Sequence, residues 1–227
     1  MALTANILAA DIHRRMVSDS RFGYSWTERY GATPETWDVD GCSIRINVGD
    51  YDCSSSTITA WKLALSAFGC GDVLSGATYT GNMRYVFTRS GLFEWRTDFA
   101  NAQRGDLYLD EDTHVAMCQG GGRLSEFSSN EFGGAYGGVR GDQTGWESHE
   151  CGYYRGSWDG YLHYIGDLTL GDDDEVTPAE KKEIAKMVVD ELMNRDLPVN
   201  GEKKKIPFWQ LMSWSYFYSR ENAHKGK

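Results

Sequence analysis

Apolar residues recur at helical spacing near the start of the chain and alternate with polar residues shortly afterwards. Leu8, Ile12 and Met16 are four residues apart and therefore share one face of a helix. Residues 37–48, with the sequence WDVDGCSIRINV, alternate apolar and polar side chains around an Asp-Gly dipeptide, which predicts a β-hairpin. The chain is therefore expected to open with an amphipathic helix and a hairpin.

Two further helical segments precede a group of short strands. The helices are predicted at 55–69, which Gly69 ends, and at 80–91. The strands are predicted at 105–110, 113–118, 123–128 and 158–166, with a glycine-rich loop at 130–145 before the last of them. Helices followed by an antiparallel meander are typical of the α+β class, with N-terminal helices packed on an antiparallel sheet.

A domain boundary is predicted near residue 170. The acidic run at 172–175 indicates a linker, and Thr177 and Pro178 are suited to begin a helix over 178–194. Aromatic residues crowd the segment 208–222. We therefore expect a main domain at 1–170 and, at 171–227, an acidic linker with a small helical, aromatic extension. The extension either packs on the rest of the protein or has a binding or oligomerising role.

Charge and composition narrow the function. The net charge is -10, and residues 177–227 carry ten Lys and Arg against seven Asp and Glu, so the remainder carries -13. A main domain this acidic is a poor partner for nucleic acid. No apolar run is long enough to span a bilayer, and the N-terminus has no signal-peptide pattern, so we expect a cytoplasmic protein that makes no membrane contact.

The five cysteines indicate one reactive thiol. They are odd in number and widely spaced, without a CxxC motif, which argues against a disulfide framework or a structural zinc site. Cys53 stands at the predicted start of a helix, and Asp52 is its candidate N-cap. The helix dipole favours a thiolate at this position, and the free N–H groups can stabilise an oxyanion.

A base for this thiol is expected at a strand edge. His114 stands at the head of a predicted strand, whereas His149 is expected in a loop and His163 in the last strand. Glu126 is the candidate partner that orients the base. A three-residue connection would place His114 and Glu126 directly opposite each other on one face, and a four-residue connection would turn Glu126 away.

Four motifs carry a family resemblance over about residues 5–167. YDCSSS, RGDLYLDEDTHVAM, GGAYGGVRGDQTGWE and YYRGSWDGYLHYIG resemble the NlpC-type, papain-like cysteine peptidase superfamily, and more narrowly the phage lysins of the Pal-type peptidoglycan amidase and endopeptidase group. The resemblance implies a papain-like α+β fold. It also implies that Cys53 is the nucleophile, His114 the base and Glu126 the orienting group.

The resemblance also implies a substrate-binding surface. Tyr24 and Ser25 resemble the aromatic and polar pair of the family, and Asp52 resembles its acid before the cysteine. Three aromatic side chains are further candidates that could line a groove, with packing as the alternative: Trp26, Tyr136 and Trp146. Two polar side chains, Asp142 and Gln143, could bind the peptide, with a role in loop structure as the alternative.

The implied activity is hydrolysis of an amide in bacterial peptidoglycan, with no cofactor and no metal. The expected bond is the N-acetylmuramoyl–L-alanine amide, and the D-glutamyl–diamino-acid link is the alternative. The expected context is a phage or prophage endolysin that leaves the host cytoplasm through a holin-type lesion. The C-terminal extension is expected to contact anionic wall polymers or to form a homo-oligomer.

Two rival interpretations come from other classes of protein. The first is a non-catalytic module that binds cell-wall glycan, because aromatic residues and glycines are frequent. The second is a zinc amidase that uses His114, His149 and a cysteine.

Overall fold

A computed structural model describes residues 2–170, which form three α-helices, two short 3₁₀ helices and ten strands. The α-helices are α1 (Ala5–Val17), α2 (Cys53–Ala67) and α3 (Thr80–Arg89), and the 3₁₀ helices are Gly71–Leu74 and Phe99–Asn101. The strands are β1 (Leu3–Thr4), β2 (Thr33–Val39), β3 (Cys42–Val48), β4 (Phe93–Arg96), β5 (Leu107–Asp110), β6 (His114–Gly120), β7 (Arg123–Phe127), β8 (Ser148–Gly152), β9 (Gly160–Tyr164) and β10 (Thr169–Leu170).

The predicted C-terminal extension lies outside the described residues. This applies to the acidic linker, the helix and the aromatic segment of 171–227, and to their predicted wall-binding and oligomerising roles. Within 2–170, no helix combines the length and the apolar character that a bilayer crossing requires.

An antiparallel six-stranded sheet forms the centre of the fold. Its strand order is β4-β9-β5-β6-β7-β8, and the pairs β1–β10 and β2–β3 form two smaller sheets. Helices α1 and α2 pack against each other and against strands β6 and β7. Helices from the N-terminal half thus cover an antiparallel sheet from the C-terminal half, and the predicted α+β class is confirmed.

The first helix and the hairpin are confirmed. Leu8, Ile12 and Met16 are fully buried on one face of α1. Strands β2 and β3 pair along their whole length, and Asp40 and Gly41 form the turn with φ angles of 52° and 80°. Two consecutive positive φ angles define the turn that best matches the twist of paired strands, and Asp-Gly is a preferred sequence for it.

Four strands are missing from the sequence prediction. Strands β1 and β10 have two residues each and pair with each other, and β4 and β8 lie at the edges of the main sheet. Strand β8 reads SHECG and lacks the apolar alternation that marks a strand with one buried face. The prediction that His149 lies in a loop is wrong, because this residue is the second of β8.

Trp61 anchors α2 to the sheet. Its ring is fully buried and packs on Phe93 and Tyr164, with centroid distances of 4.6 and 5.1 Å. Its Nε1–H donates to the Gly105 carbonyl oxygen at 3.1 Å. The helix that begins at Cys53 is therefore held by a large apolar contact and a directional hydrogen bond.

Candidate active site

The N-terminus of α2 presents Cys53, and Asp52 caps the helix as predicted. The Asp52 carboxylate accepts the Ser55 N–H at 2.6 Å, and the Ser55 hydroxyl accepts the Asp52 N–H at 2.9 Å. This reciprocal capping box fixes the direction in which the first turn of the helix begins. Cys53, the first residue of that turn, is largely buried and keeps a small exposed fraction of 7%.

Asp52 is a structural residue rather than a substrate contact. It is only 2% exposed, and its second carboxylate oxygen lies 2.5 Å from the Arg29 Nε. Ser25 is also buried, and its hydroxyl accepts the backbone N–H groups of Thr27 and Glu28 at 3.3 and 3.2 Å. The burial and internal contacts of both side chains argue against the predicted direct contact with substrate.

His114 lies between Cys53 and Glu126. Its Nε2 is 3.0 Å from the Glu126 Oε2, which leaves Nδ1 for the thiol. The ring also stacks on Trp158, with a centroid distance of 5.8 Å. Burial lowers the pKa of His114, but hydrogen bonds with the Cys53 thiol and the Glu126 carboxylate raise it to about 9 overall. His114 is therefore an imidazolium at neutral pH.

The register between β6 and β7 differs from the predicted one. Met117 pairs with Ser125, and continuing this register places Glu126 opposite Ala116 rather than opposite His114. The turn is tighter than predicted, with only Gly121 and Gly122 between the paired residues Gly120 and Arg123, and the bulge between Cys118 and Gly120 then shifts the register by one residue, which returns Glu126 to the face of His114. The predicted direct opposition is wrong, but Glu126 keeps the predicted face. His114 and Glu126 are diagonal neighbours, close enough for long side chains to meet.

Glu126 is a buried carboxylate with four neighbours. The side chain is only 6% exposed. Its Oε2 accepts hydrogen bonds from the Tyr154 hydroxyl, at 2.7 Å, and from the His114 Nε2. Its Oε1 lies 3.2 Å from the His149 Nε2 and 3.8 Å from the Cys151 Sγ. Burial raises the pKa of Glu126, but hydrogen bonds from His114, His149 and Tyr154 hold it far below its usual value. Glu126 is therefore ionised.

Two neighbours of the catalytic candidates, Tyr154 and Trp158, escaped sequence reasoning, and His149 was named only as a possible zinc ligand. His149 pairs directly with Glu126 across β7 and β8. Tyr154 and Trp158 follow β8, and their rings lie 5.5 Å apart. Only the spacing of His149 and Cys151, two residues apart, hinted that both side chains share a strand face.

The structure does not favour the zinc amidase interpretation in its predicted form. Glu126 stands between His114 and His149 and contacts both rings. The candidate metal ligands that cluster in the described residues are Glu126, His149 and Cys151, without His114.

Tyr24 and Trp26 lie on the segment before Cys53, and Trp26 forms an exposed aromatic pair with Tyr136 of the glycine-rich loop. Burial, followed by the charge of Cys53, raises the pKa of Tyr24 well above its usual range. Trp26 and Tyr136 are 49% and 62% exposed, and their rings lie 4.9 Å apart. The backbone N–H of Trp26 donates to the Ala135 carbonyl oxygen, and this hydrogen bond ties the glycine-rich loop to the segment before Cys53.

The remaining predicted contacts lie in the second half of the glycine-rich loop. Asp142 accepts the N–H groups of Thr144 and Gly145 at 3.0 and 2.7 Å, and therefore structures the loop. Gln143 is exposed and donates to the Arg140 carbonyl oxygen. Trp146 is 70% exposed, and the centroid of its ring lies 5.4 Å from that of His149.

Replacing Tyr154 with phenylalanine is expected to lower kcat/KM. The variant removes one hydrogen bond to the ionised Glu126. Such a bond is worth about 1.5–3 kcal/mol, so we expect a loss of about tenfold or more. Tyr153→Phe is the matched control, since the Tyr153 ring packs on Tyr108 and the phenol that donates to Glu126 is that of Tyr154. Equal rates for the two variants would remove Tyr154 from the site.

Known proteins share features of this fold. Three solved structures are similar: the peptidoglycan hydrolase RipB from Mycobacterium tuberculosis, the P60 domain from an M. avium subspecies paratuberculosis antigen, and a mutated form of the resuscitation promoting factor interacting protein RipA. Their identities are 19%, 18% and 19%, and their TM-scores are 0.41, 0.38 and 0.39. The matches cover 71%, 70% and 70% of this chain, and 66%, 96% and 63% of those structures.

For RipB and RipA, the chain thus spans slightly less than two thirds of the length of the solved structure. Comparison with curated proteins gives no match.

The family model of the endolysin-like domain matches residues 3–125, a range that includes Cys53 and His114 and ends one residue before Glu126. Because this match covers more than half of the 227 residues, the chain belongs to the endolysin-like domain family.

Proposed function

We propose that this protein is a cysteine-dependent peptidoglycan hydrolase in which Cys53, His114 and Glu126 form the catalytic triad. The observation that carries the proposal is the arrangement of the three groups. A thiol at the N-terminus of α2 meets an imidazolium, and that imidazolium is held by a buried carboxylate. Membership of the endolysin-like family supports peptidoglycan as the substrate.

The first chemical step is attack by the Cys53 thiolate on an amide carbonyl. The adjacent imidazolium of His114 stabilises the thiolate, and Glu126 holds the ring in position through Nε2. The N–H groups of Ser55 and Ser56 are used by Asp52. The N–H of Cys53 has no acceptor within the helix and is free to bind the oxyanion that forms.

The second half of the reaction uses His114 twice. The Nδ1 proton passes to the leaving amine as the carbon–nitrogen bond breaks, which leaves an acyl thioester on Cys53. The neutral ring then takes a proton from water, and the resulting hydroxide equivalent attacks the thioester. The thiol is released, and the carboxylate product leaves. Glu126 stays ionised throughout and stabilises the imidazolium each time it forms.

The proposed bond is the N-acetylmuramoyl–L-alanine amide, and the D-glutamyl–diamino-acid link is the alternative. The exposed ring pair Trp26 and Tyr136 supports a groove for sugar or stem peptide, because aromatic faces pack well on such substrates. The proposal includes a phage or prophage origin and release from the host cytoplasm through a holin-type lesion.

The test is clearing of purified Gram-positive cell walls, with the soluble products identified by mass spectrometry. Cys53→Ala is expected to abolish clearing, whereas Cys70→Ala, which alters a free cysteine outside the site, is expected to clear like the wild type. Stem peptides that begin with free L-alanine indicate the amidase, and cleavage within the stem indicates the endopeptidase.

Clearing by Cys53→Ala at the wild-type rate would contradict the assigned nucleophile. If the wild type pelleted with walls but cleared none of a broad panel, the non-catalytic binding module would be the better interpretation.

A further inference from the structure

Three side chains at the end of the catalytic triad bring nitrogen, sulfur and oxygen donors together. They are His149 and Cys151 of β8 and Glu126 of β7. One donor atom from each lies within 4.8 Å of the other two. The proposed reaction uses only the opposite oxygen of Glu126, so the role of this cluster is unassigned.

His149 turns its Nε2 toward the Glu126 carboxylate. Its Nδ1 is 3.0 Å from the Trp146 carbonyl oxygen, which only accepts, so Nδ1 carries a hydrogen. Its Nε2 faces the Glu126 Oε1 at 3.2 Å, and a proton on Nε2 joins these two atoms. A metal ion in the place of that proton would join both atoms to the Cys151 sulfur as well.

The distances fit a tetrahedral metal site. Zinc bonds of about 2.05 Å to nitrogen, 2.1 Å to oxygen and 2.3 Å to sulfur imply a separation of about 3.4 Å between nitrogen and oxygen and about 3.6 Å between sulfur and oxygen. The corresponding separations here are 3.2 Å, from His149 Nε2 to Glu126 Oε1, and 3.8 Å, from Cys151 Sγ to the same oxygen. Both separations differ from those of a tetrahedral site by about 0.2 Å. The third pair, the His149 Nε2 and the Cys151 Sγ, lies within 4.8 Å.

The surroundings of the cluster also suit a metal ion. A ligating histidine commonly donates its other N–H to a backbone carbonyl, as His149 does to Trp146. Strand β8 is an edge strand of the main sheet, and the side chains of His149 and Cys151 are partly exposed. An ion can therefore reach the cluster from solvent.

We propose that Glu126, His149 and Cys151 form a binding site for one divalent transition-metal ion of the zinc type. Binding replaces the thiol proton of Cys151, which passes to solvent, and the metal bonds the resulting thiolate, the His149 Nε2 and the Glu126 Oε1. The Oε2 of Glu126 keeps its contact with His114. The ion thus shares a carboxylate with the triad and lies beside it, bound through the oxygen that the proposed hydrolysis does not use.

The test uses Co²⁺ and Zn²⁺ alone with the full-length Cys53→Ala protein, in which the proposed nucleophile cannot supply sulfur. Isothermal titration is expected to give one ion per chain. The Co²⁺ complex is expected to show the near-ultraviolet charge-transfer absorption of a cobalt–thiolate bond. Adding Cys151→Ser should abolish that absorption, and adding His149→Gln should weaken binding by at least about tenfold.

Cys70→Ser in the same Cys53→Ala background is the matched control and is expected to change neither signal. No stoichiometric binding by the Cys53→Ala protein would overturn the proposal, and so would a thiolate absorption that persists after Cys151→Ser. Circular dichroism of each variant separates loss of binding from loss of fold. Binding is read without any enzymatic assay, so the result is independent of the proposed hydrolase activity.

Discussion

Glu126→Gln is expected to lower kcat/KM by about 10²- to 10⁴-fold and to move the high-pH loss of activity to a lower pH. His114 must be protonated to stabilise the thiolate and to protonate the leaving amine. Its pKa is raised to about 9, so wild-type kcat/KM should fall as the pH rises through about 9. Glu126 is one of the groups that raise this pKa, and an amide in its place removes that contribution.

The measurement is the pH profile of kcat/KM on solubilised peptidoglycan fragments for the wild type, Glu126→Gln and Glu150→Gln. Glu150 is a suitable control, because it lies on the neighbouring strand β8 and pairs with Arg123 instead of the triad. Its variant should keep both the rate and the profile of the wild type. A Glu126→Gln enzyme with wild-type rate and an unmoved descending limb would show that Glu126 does not orient the base.

Trp61→Ala is expected to lower the free energy of unfolding by about 3–5 kcal/mol, as for other large-to-small changes of buried aromatic residues. The variant removes a fully buried ring from its contacts with Phe93 and Tyr164 and leaves the Gly105 carbonyl without its donor. Trp61→Phe keeps most of the apolar contact but loses the hydrogen bond, so a smaller loss of about 1–2 kcal/mol is expected.

Urea unfolding followed by far-ultraviolet circular dichroism measures these differences. Trp146→Ala is the control, since this ring is 70% exposed, and its removal should change the unfolding free energy by less than about 0.5 kcal/mol. Equal midpoints for Trp61→Ala and Trp146→Ala would contradict the description of Trp61 as the anchor of α2.

Local patterns predicted the elements that have a clear periodicity or a strong turn. The four-residue spacing of Leu8, Ile12 and Met16 predicted α1, and the Asp-Gly dipeptide predicted the β2–β3 hairpin. The cap at Asp52 was predictable because capping depends on residues only three positions apart. These features are set by neighbours along the chain, and the sequence therefore contains them in full.

Features that depend on distant residues were harder to predict. The edge strands β4 and β8 escaped prediction, since β8 has no apolar alternation to identify it. The two-residue turn at Gly121 and Gly122, together with the bulge between Cys118 and Gly120, placed Glu126 two residues from its predicted partner, because the predicted connection assumed a regular three-residue turn. The contacts of Glu126 with His149 and Tyr154 span more than twenty residues and follow from pairing that no local pattern specifies.

The hairpin formed by β2 and β3 offers a place to graft new sequence. Its tip, Asp40 and Gly41, is exposed, and all seven residues of each strand are paired behind it. The other end of β3 leads to Cys53, so the tip is separated from the thiol by about 20 Å of strand. Lengthening a surface turn costs little closure entropy. An epitope tag or a targeting peptide inserted between Asp40 and Gly41 would give a chimera with the catalytic groups undisturbed.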